Sequence, residues 1–423
     1  MKSLSTKPVL LFFPMDMLSH HLRCLQLADA IKSFATCIFA TEKYSDLIKS
    51  RNYEAVYYTS LSSEMIIQMG QKNDSSWVST KVFEPVLDSQ IQIIKKIKPH
   101  FVVNDYSFTA HLAAEYLNIP CLSLINGLFS NQLAIQKPIP LSHPMARFSF
   151  LIPGFVINGV QNIIFKMLHR PYRQIRKKLG LSLKNRTFMD EFKGDISLIL
   201  DTNEFAPQTH LPPNTFFLGP IYHTDSKVEE AVLSRLDPNK KTLLVNMGSS
   251  GSVGQVRFLN DLYFSKYNVL VVGSHTDSLD APHIIKEKFL SLESVLPKVD
   301  LVFSQGGTGN IFQSLAHGVP VFCYPTFFEQ DWNSLRVQEL GYGLNLTSKE
   351  PLEDMRDLVE RWSSKKEETK FRLLCESISV EKTKIRFQQI IQNLIQPKNV
   401  HIFIAQKSIH SNFTGKTIKP FLT

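Results

Sequence analysis

SQGGTGNIFQSLAHGVPVFCYP, running from Ser304 to Pro325, is the stretch whose reading decides the fold. It follows a strand-like run, Leu301 to Phe303, and ends in another, Val321 to Tyr324. Between them Gly306, Gly307 and Gly309 remove side chains where the chain turns, and Asn310 to Ala316 has helical spacing. Gly318-Val319-Pro320 closes that helix and opens the next strand. Strand, glycine turn, helix and strand make one βαβ unit, which implies a parallel sheet. A glycine turn that opens a helix offers backbone N–H groups and a positive dipole end, a match for a pyrophosphate. Composition alone also fits a tight turn without a ligand. The continuation, Phe328-Glu329-Gln330-Asp331-Trp332-Asn333, favours the ligand, because it sets polar side chains after the next strand at the same end of the sheet.

Outward from this stretch the same alternation recurs. Upstream, Thr242 to Asn246 and Asn268 to Val272 read as strands and Gln255 to Phe264 as a helix; downstream, Asn333 to Leu340 reads as a helix. Nearer the amino end, strands are expected at Val9 to Phe13, Thr36 to Ala40, Phe101 to Asn104, Cys121 to Ile125, Ile196 to Leu200 and Thr215 to Leu218. Helices are expected at Leu22 to Lys32, Val82 to Ile97 and Thr109 to Tyr116, with a mainly helical section from Ser149 to Leu179. The predicted fold class is α/β, with two doubly wound parallel-sheet halves in series. The predicted domains are 1–222, a polar linker at 223–240, and 241–395 including C-terminal helices; the tail 396–423 receives no role. The second part of Glu353 to Leu394 is a candidate to cross back onto the first domain.

The long motif resembles the donor-binding signature of the inverting UDP-glycosyltransferase superfamily, including its bacterial macrolide-type members. That signature is roughly His-Gly-Gly-x-Gly/Asn-Ser/Thr, then Glu-Ala-Leu, Gly-Val-Pro and Asp-Gln-x-x-Asn. Here Gln305 stands at the His, Gly306 and Gly307 match, Asn310 stands at the Ser/Thr and Gln313 at the Glu. Glu329-Gln330 stands at the Asp-Gln and Asn333 matches. Weaker resemblance covers most of Val9 to Leu346, including Phe217-Leu-Gly-Pro220 and Asn246-Met-Gly-Ser249. The resemblance implies a GT-B-like architecture, two Rossmann-type domains facing across a cleft, and a UDP-sugar as co-substrate, with no other cofactor and no metal. It implies donor contacts from Gln305, Gly306, Gly307, Thr308, Gly309 and Asn310 to the diphosphate, with Ser249 and Ser250 as second contacts. Gln313 would face the ribose, and Glu329 and Gln330 the sugar hydroxyls. Two departures remove charge: Gln305 donates only a neutral hydrogen bond, and Gln313 lacks a carboxylate.

Ser19-His20-His21 follows the first strand, which puts an imidazole at the ligand end of the first sheet. A histidine there is neutral enough near pH 7 to accept a proton. Taken alone, the pair also fits a solvated loop. The family has its catalytic His in a Gly-His-x-x-Pro motif, and counting back from Leu27-Ala28 selects His20, with His21 as the fallback. Ser19 replaces the Gly and Arg23 the Pro. Asp105, after the strand Phe101 to Asn104, matches the family's Asp that supports this imidazole; it is equally placed to cap the next helix.

Composition bounds the rest. Among 423 residues, 43 % are hydrophobic and 20 % charged, so the chain can bury full cores. A net charge of +9 favours anionic partners such as nucleotides or acidic lipids, and no zinc-finger spacing, RNA-binding signature or basic block points to nucleic acid. Five widely spaced cysteines without a Cys-x-x-Cys pair suit a reducing compartment, so a cytoplasmic location is expected. Phe148 to Leu168 is apolar but interrupted by Pro153, Asn158, Gln161, Asn162 and Lys166, which argues against a membrane span. With the basic stretch Lys166 to Arg186 it reads either as a solvated helix face or as a patch for a membrane surface or lipid acceptor. The expected function is inverting transfer of a sugar onto a small-molecule or lipid hydroxyl. A nucleotide-sugar-binding protein without transferase activity, an epimerase of the same fold and a peripheral membrane protein are the rival readings.

Overall fold

The computed structural model describes residues 7–72, 74–136, 139, 154–183, 186–248, 251–273, 276–326, 328–346 and 349–396. Ser249, Ser250, residues 149–153 and the tail from 397 lie outside the described residues.

The chain divides into two compact units. The first contains, in order, β1 (Val9–Pro14), α1 (Leu18–Ile31), β2 (Thr36–Ala40), α2 (Ser45–Ser50), β3 (Glu54–Val56), α3 (Ser63–Gln71) and α4 (Thr80–Ile97). It continues with β4 (Phe101–Asp105), α5 (Ala110–Tyr116), β5 (Cys121–Ile125), α6 (Gly154–Leu179), β6 (Ile196–Ile199) and β7 (Thr215–Phe217). The seven strands form one sheet in the order β3-β2-β1-β4-β5-β6-β7, and every pairing is parallel. β1 shows why: Leu10 to Phe13 are all fully buried, the continuous apolar run of a strand covered on both faces.

The second unit holds Pro220–Val380. Its elements are α7 (Glu230–Leu233), β8 (Thr242–Asn246), β9 (Asn268–Val272), β10 (Ile284–Glu287), α8 (Leu292–Val295), β11 (Leu301–Ser304), α9 (Thr308–Ala316) and β12 (Val321–Cys323). α10 (Phe328–Glu339), β13 (Gly343–Asn345), α11 (Leu352–Trp362) and α12 (Thr369–Ser377) follow. Its six strands are again all parallel, in the order β10-β9-β8-β11-β12-β13. The last helix, α13 (Val380–Leu394), returns to the first unit from Glu381 on. There Arg386 Nη1 donates to the Leu218 carbonyl at 3.0 Å.

Both sheets reverse direction once. From β1 the chain moves outward through β2 and β3, then crosses to β4 on the other side; β8, β9, β10 and β11 repeat the pattern. Each reversal opens a crevice at the carboxyl ends of two neighbouring strands, where ligands of such sheets bind. The helix expected at Gln255 to Phe264 is instead two 3₁₀ segments, Val253–Asn260 and Leu262–Lys266. The Asp261 side chain accepts from the Tyr263 N–H and starts a new turn, which breaks the helical ladder. Among the described residues no helix is long and apolar enough to cross a membrane.

Candidate active site

In the first unit the register pairs Pro14 with Asp105, so the end of β1 meets the end of β4. α1 starts at Leu18, earlier than its apolar pattern suggests, and His20 and His21 lie in its first turn rather than in a loop. His20 Nδ1 lies 3.1 Å from Asp105 Oδ2, so these two predicted residues do meet. No hydrogen bond engages His20 Nε2 among the described residues. Asp105 is the last residue of β4 and is fully buried.

One helical turn on, Arg23 enters the same site, a residue the motif reading registered only as a missing proline. Its Nε donates to Asp105 Oδ2 at 2.6 Å, and its Nη2 pairs with Asp105 Oδ1. The same Nη2 lies 2.9 Å from His20 Nδ1. Positions 20 and 23 share a helix face, and that spacing was the available signal. Burial alone would raise the Asp105 carboxyl, but the Arg23 and His20 charges hold it well below the usual carboxylate range. Burial and then the Arg23 charge lower the His20 imidazole, against the pull of Asp105. The two contacts at Nδ1 also select different tautomers. A proton on Nδ1 donated to Asp105 leaves Nε2 as an acceptor; an Arg23 N–H donated to Nδ1 leaves the proton on Nε2.

His21 has no such freedom. Its Nδ1 donates to the Met17 carbonyl at 2.9 Å, and its Nε2 faces the Thr41 hydroxyl at 2.9 Å. Both ring nitrogens are occupied, and burial pushes the ring down to about 4. Just past Asp105, Tyr106 holds a left-handed φ of 57°, a strained conformation for a bulky residue. It turns the chain so that its ring stands 6.1 Å from that of His20 and 5.6 Å from that of Phe192. Beside it lies a recess lined by Met15, Asp16, Tyr58, Leu61, Tyr106 and Phe108. Asp16 there is 3 % exposed and pairs with Lys43 Nζ at 3.1 Å.

In the second unit, Ser304 at the end of β11 pairs with Asn246 at the end of β8. Gly306 has a φ of 91°, and a Cβ there would stand 2.9 Å from the Gln330 carbonyl, so only glycine fits. Gly307 and Gly309 open onto empty space within 4 Å of any Cβ. No side chain caps α9, so its first N–H groups, at Thr308, Gly309 and Asn310, are available to an anion. Asn310 stitches the corner to β8: its Nδ2 donates to the Asn246 carbonyl at 3.0 Å, and Asn246 Nδ2 donates to Asn310 Oδ1 at 3.2 Å. Asn333 Nδ2 donates to the Gly306 carbonyl at 3.0 Å and holds the glycine corner from behind.

The remaining donor candidates are placed as follows. Gln305 is buried, with its amide packed against Gly248 and Gly251, where added Cβ atoms would meet it at 2.8 and 2.7 Å. Gln313 Nε2 donates to Glu293 Oε1 at 2.8 Å and to the His223 carbonyl at 2.9 Å. Glu293, absent from the motif reading, thus brings a carboxylate beside Gln313. Burial would raise it, but hydrogen bonds from His317 and Gln313 hold it below its usual value. α10 begins at Phe328, so Glu329 and Gln330 occupy its first turn. Gln330 Oε1 accepts from the Thr326 N–H at 2.9 Å, which fixes that turn.

No family model matches the chain. It is 25 % identical over 298 residues to a PGL/p-HBAD biosynthesis glycosyltransferase of Mycobacterium tuberculosis (strain ATCC 25177 / H37Ra), covering 68 % of each chain. Among solved structures, the glycotransferase of kitacinnamycin superposes with a TM-score of 0.69 at 16 % identity, over 92 % of this chain and all of that one. The glycosyltransferase VinC in complex with dTDP superposes with a TM-score of 0.59 at 14 % identity, over 94 % of this chain and all of that one. With its two all-parallel Rossmann-like sheets, the chain is similar in sequence to glycosyltransferases and has the GT-B fold.

Proposed function

We propose that the chain moves a sugar from a nucleoside diphosphate, UDP in this reading, onto a hydroxyl of a small-molecule or lipid acceptor, with inversion and without a metal ion. The observation that carries it is the α9 corner, where an uncapped helix start meets two glycines open to space. Amides of residues 306 to 310 hold the diphosphate there, and a neighbouring fold that binds dTDP supports a nucleoside-diphosphate site. Gln305, Ser249 and Ser250 add neutral contacts, Gln313 with Glu293 faces the ribose, and Glu329 and Gln330 face the sugar. His20 Nε2 takes the acceptor hydroxyl proton. The acceptor oxygen then bonds to the anomeric carbon from the face opposite the diphosphate, and the bond to the diphosphate breaks. Asp105 holds the His20 tautomer that makes this possible.

His20→Ala tests the base. Transfer from a UDP-sugar should fall by about 10²-fold or more, while UDP binding by calorimetry stays unchanged. Turnover near the parent value would overturn the assignment. Arg23 favours a second reading, a nucleotide-sugar-binding protein with weak transfer, because the guanidinium opposes protonation of His20. Donor binding without any glycosylated product across a pooled acceptor library would decide for it.

A further inference from the structure

Among the described residues, the C-terminal half of α6 is held through a buried face. His169 Nε2 lies 2.9 Å from Glu191 Oε1, Arg176 Nε lies 3.0 Å from the same oxygen, and Tyr172 is fully buried. The opposite side carries a row of exposed aliphatic residues: Val156, Val160, Ile163, Ile164 and Met167, from 39 % exposed at Val156 to 67 % at Met167. Their spacing of i, i+4, i+7, i+8 and i+11 puts them on one stripe. Single exposed aliphatics are ordinary, but a continuous row of them marks a surface that something covers. A second row follows the first along the helix, turned about 100° around its axis, and the two overlap only at residues 166 and 167. Lys166, Arg170, Arg173 and Lys177, all exposed, repeat at i, i+4, i+7 and i+11. From Gly154 to Leu179 there is no Asp or Glu.

We propose that this face of α6 docks on an anionic lipid surface, the aliphatic row entering the acyl boundary and the basic row lying among the headgroups. An apolar stripe continued along the helix by a row of cations, without acids, suits a helix that lies in the plane of a membrane interface with its first half in the acyl boundary and its second half against anionic headgroups. A second copy of the chain is a poor occupant, since it would set two basic rows against each other. Nucleic acid would leave the aliphatic row without a partner. Six Lys and Arg residues in α6 exclude a span. The inference is independent of the transfer reading, because it rests on none of the residues given roles in it.

The test uses the full chain and sedimentation with vesicles of phosphatidylcholine, with or without phosphatidylglycerol. The parent should sediment with the anionic vesicles, less so as salt rises, and little with phosphatidylcholine alone. Ile163→Glu with Met167→Glu should weaken binding at least about tenfold, and Arg170→Gln or Arg173→Gln about fivefold each. These positions are solvent-exposed, so thermal melting and UDP binding should not change. Equal binding to both vesicle types, or parent-like binding by the double Glu variant, would overturn the proposal. So would a dimer in sedimentation equilibrium that the double Glu variant dissolves, since a second copy would then cover the stripe.

Discussion

A proton taken up by His20 enters a site that already holds a guanidinium and a carboxylate. With Arg23 and Asp105 paired, the site is near neutral when His20 is neutral and carries a buried positive charge when it is not. The fraction able to act as base therefore persists to lower pH than for a free imidazole near ~6.5, and the acid limb of kcat/KM should lie below that value. Arg23→Met removes the opposing cation and leaves Asp105 facing His20 and the neutral Cys24 thiol. The imidazole rises, and the acid limb should move to higher pH. Arg23→Lys keeps the charge, so its limb should stay close to the parent's. Arg23→Met should also lose about 3–5 kcal/mol of stability, because a fully buried carboxylate is left without its cation. Parallel pH–rate profiles for all three proteins would reject the role given to Arg23. The meeting of His20 with Asp105 was legible in the sequence because one follows the first strand, the other ends β4, and each stands at a motif position. Arg23 was not named as part of it, because the i, i+3 spacing puts it on the face of His20 but its contact with Asp105 also needs β4 to lie beside β1, which that spacing does not encode.

The glycine corner before α9 separates two duties that the bare motif merges. At Gly306 a positive φ and the nearby Gln330 carbonyl leave no room for a methyl group, so Gly306→Ala should destabilise the second unit by roughly 2–4 kcal/mol. At Gly307 nothing stands within reach of a Cβ, and its φ of −69° is open to any residue. Gly307→Ala should fold and melt like the parent yet bind UDP more weakly, because the methyl group fills the space assigned to the diphosphate. Calorimetry and thermal melting on the pair distinguish the duties; unaltered UDP binding in Gly307→Ala would place the diphosphate elsewhere. Elements were legible where burial is two-sided. β1, β5 and β8 are mostly apolar, buried runs and stood out, whereas β3, β10 and β13 are short edge strands of mostly half-exposed residues and did not. α10 began earlier than expected because its first turn is polar, with Glu329, Gln330 and Asp331 in positions that an apolar period overlooks.

At the scale of the molecule, one chain builds the same device twice: a parallel sheet whose order reverses between two central strands, with the candidate site residues near the carboxyl ends of those strands. The doubling was readable from the alternation of short apolar runs with helical periods. The sequence offered α13 only as a candidate to cross back onto the first domain and kept it within 241–395, since an amphipathic helix near a carboxyl end does not name the surface that buries it; residues from Glu381 on belong to the first unit. Phe387 and Ile391 are fully buried, and Arg386 reaches the Leu218 carbonyl. The first unit is thus completed by residues that follow the whole of the second, and a cut after β7 does not release an intact unit. A chain ending at Ser379 should lose roughly 5 kcal/mol from the first unit, the burial of Phe387, Ile391 and Leu394 at about 2 kcal/mol each less what a relaxed surface regains. The second unit should keep its stability, so a melt that was one transition or two close ones becomes two separated ones, with the earlier loss in the unit that carries His20. UDP binding, assigned to the second unit, should survive up to the later transition. If the truncated chain melts as the parent does, α13 contributes no stability to the first unit.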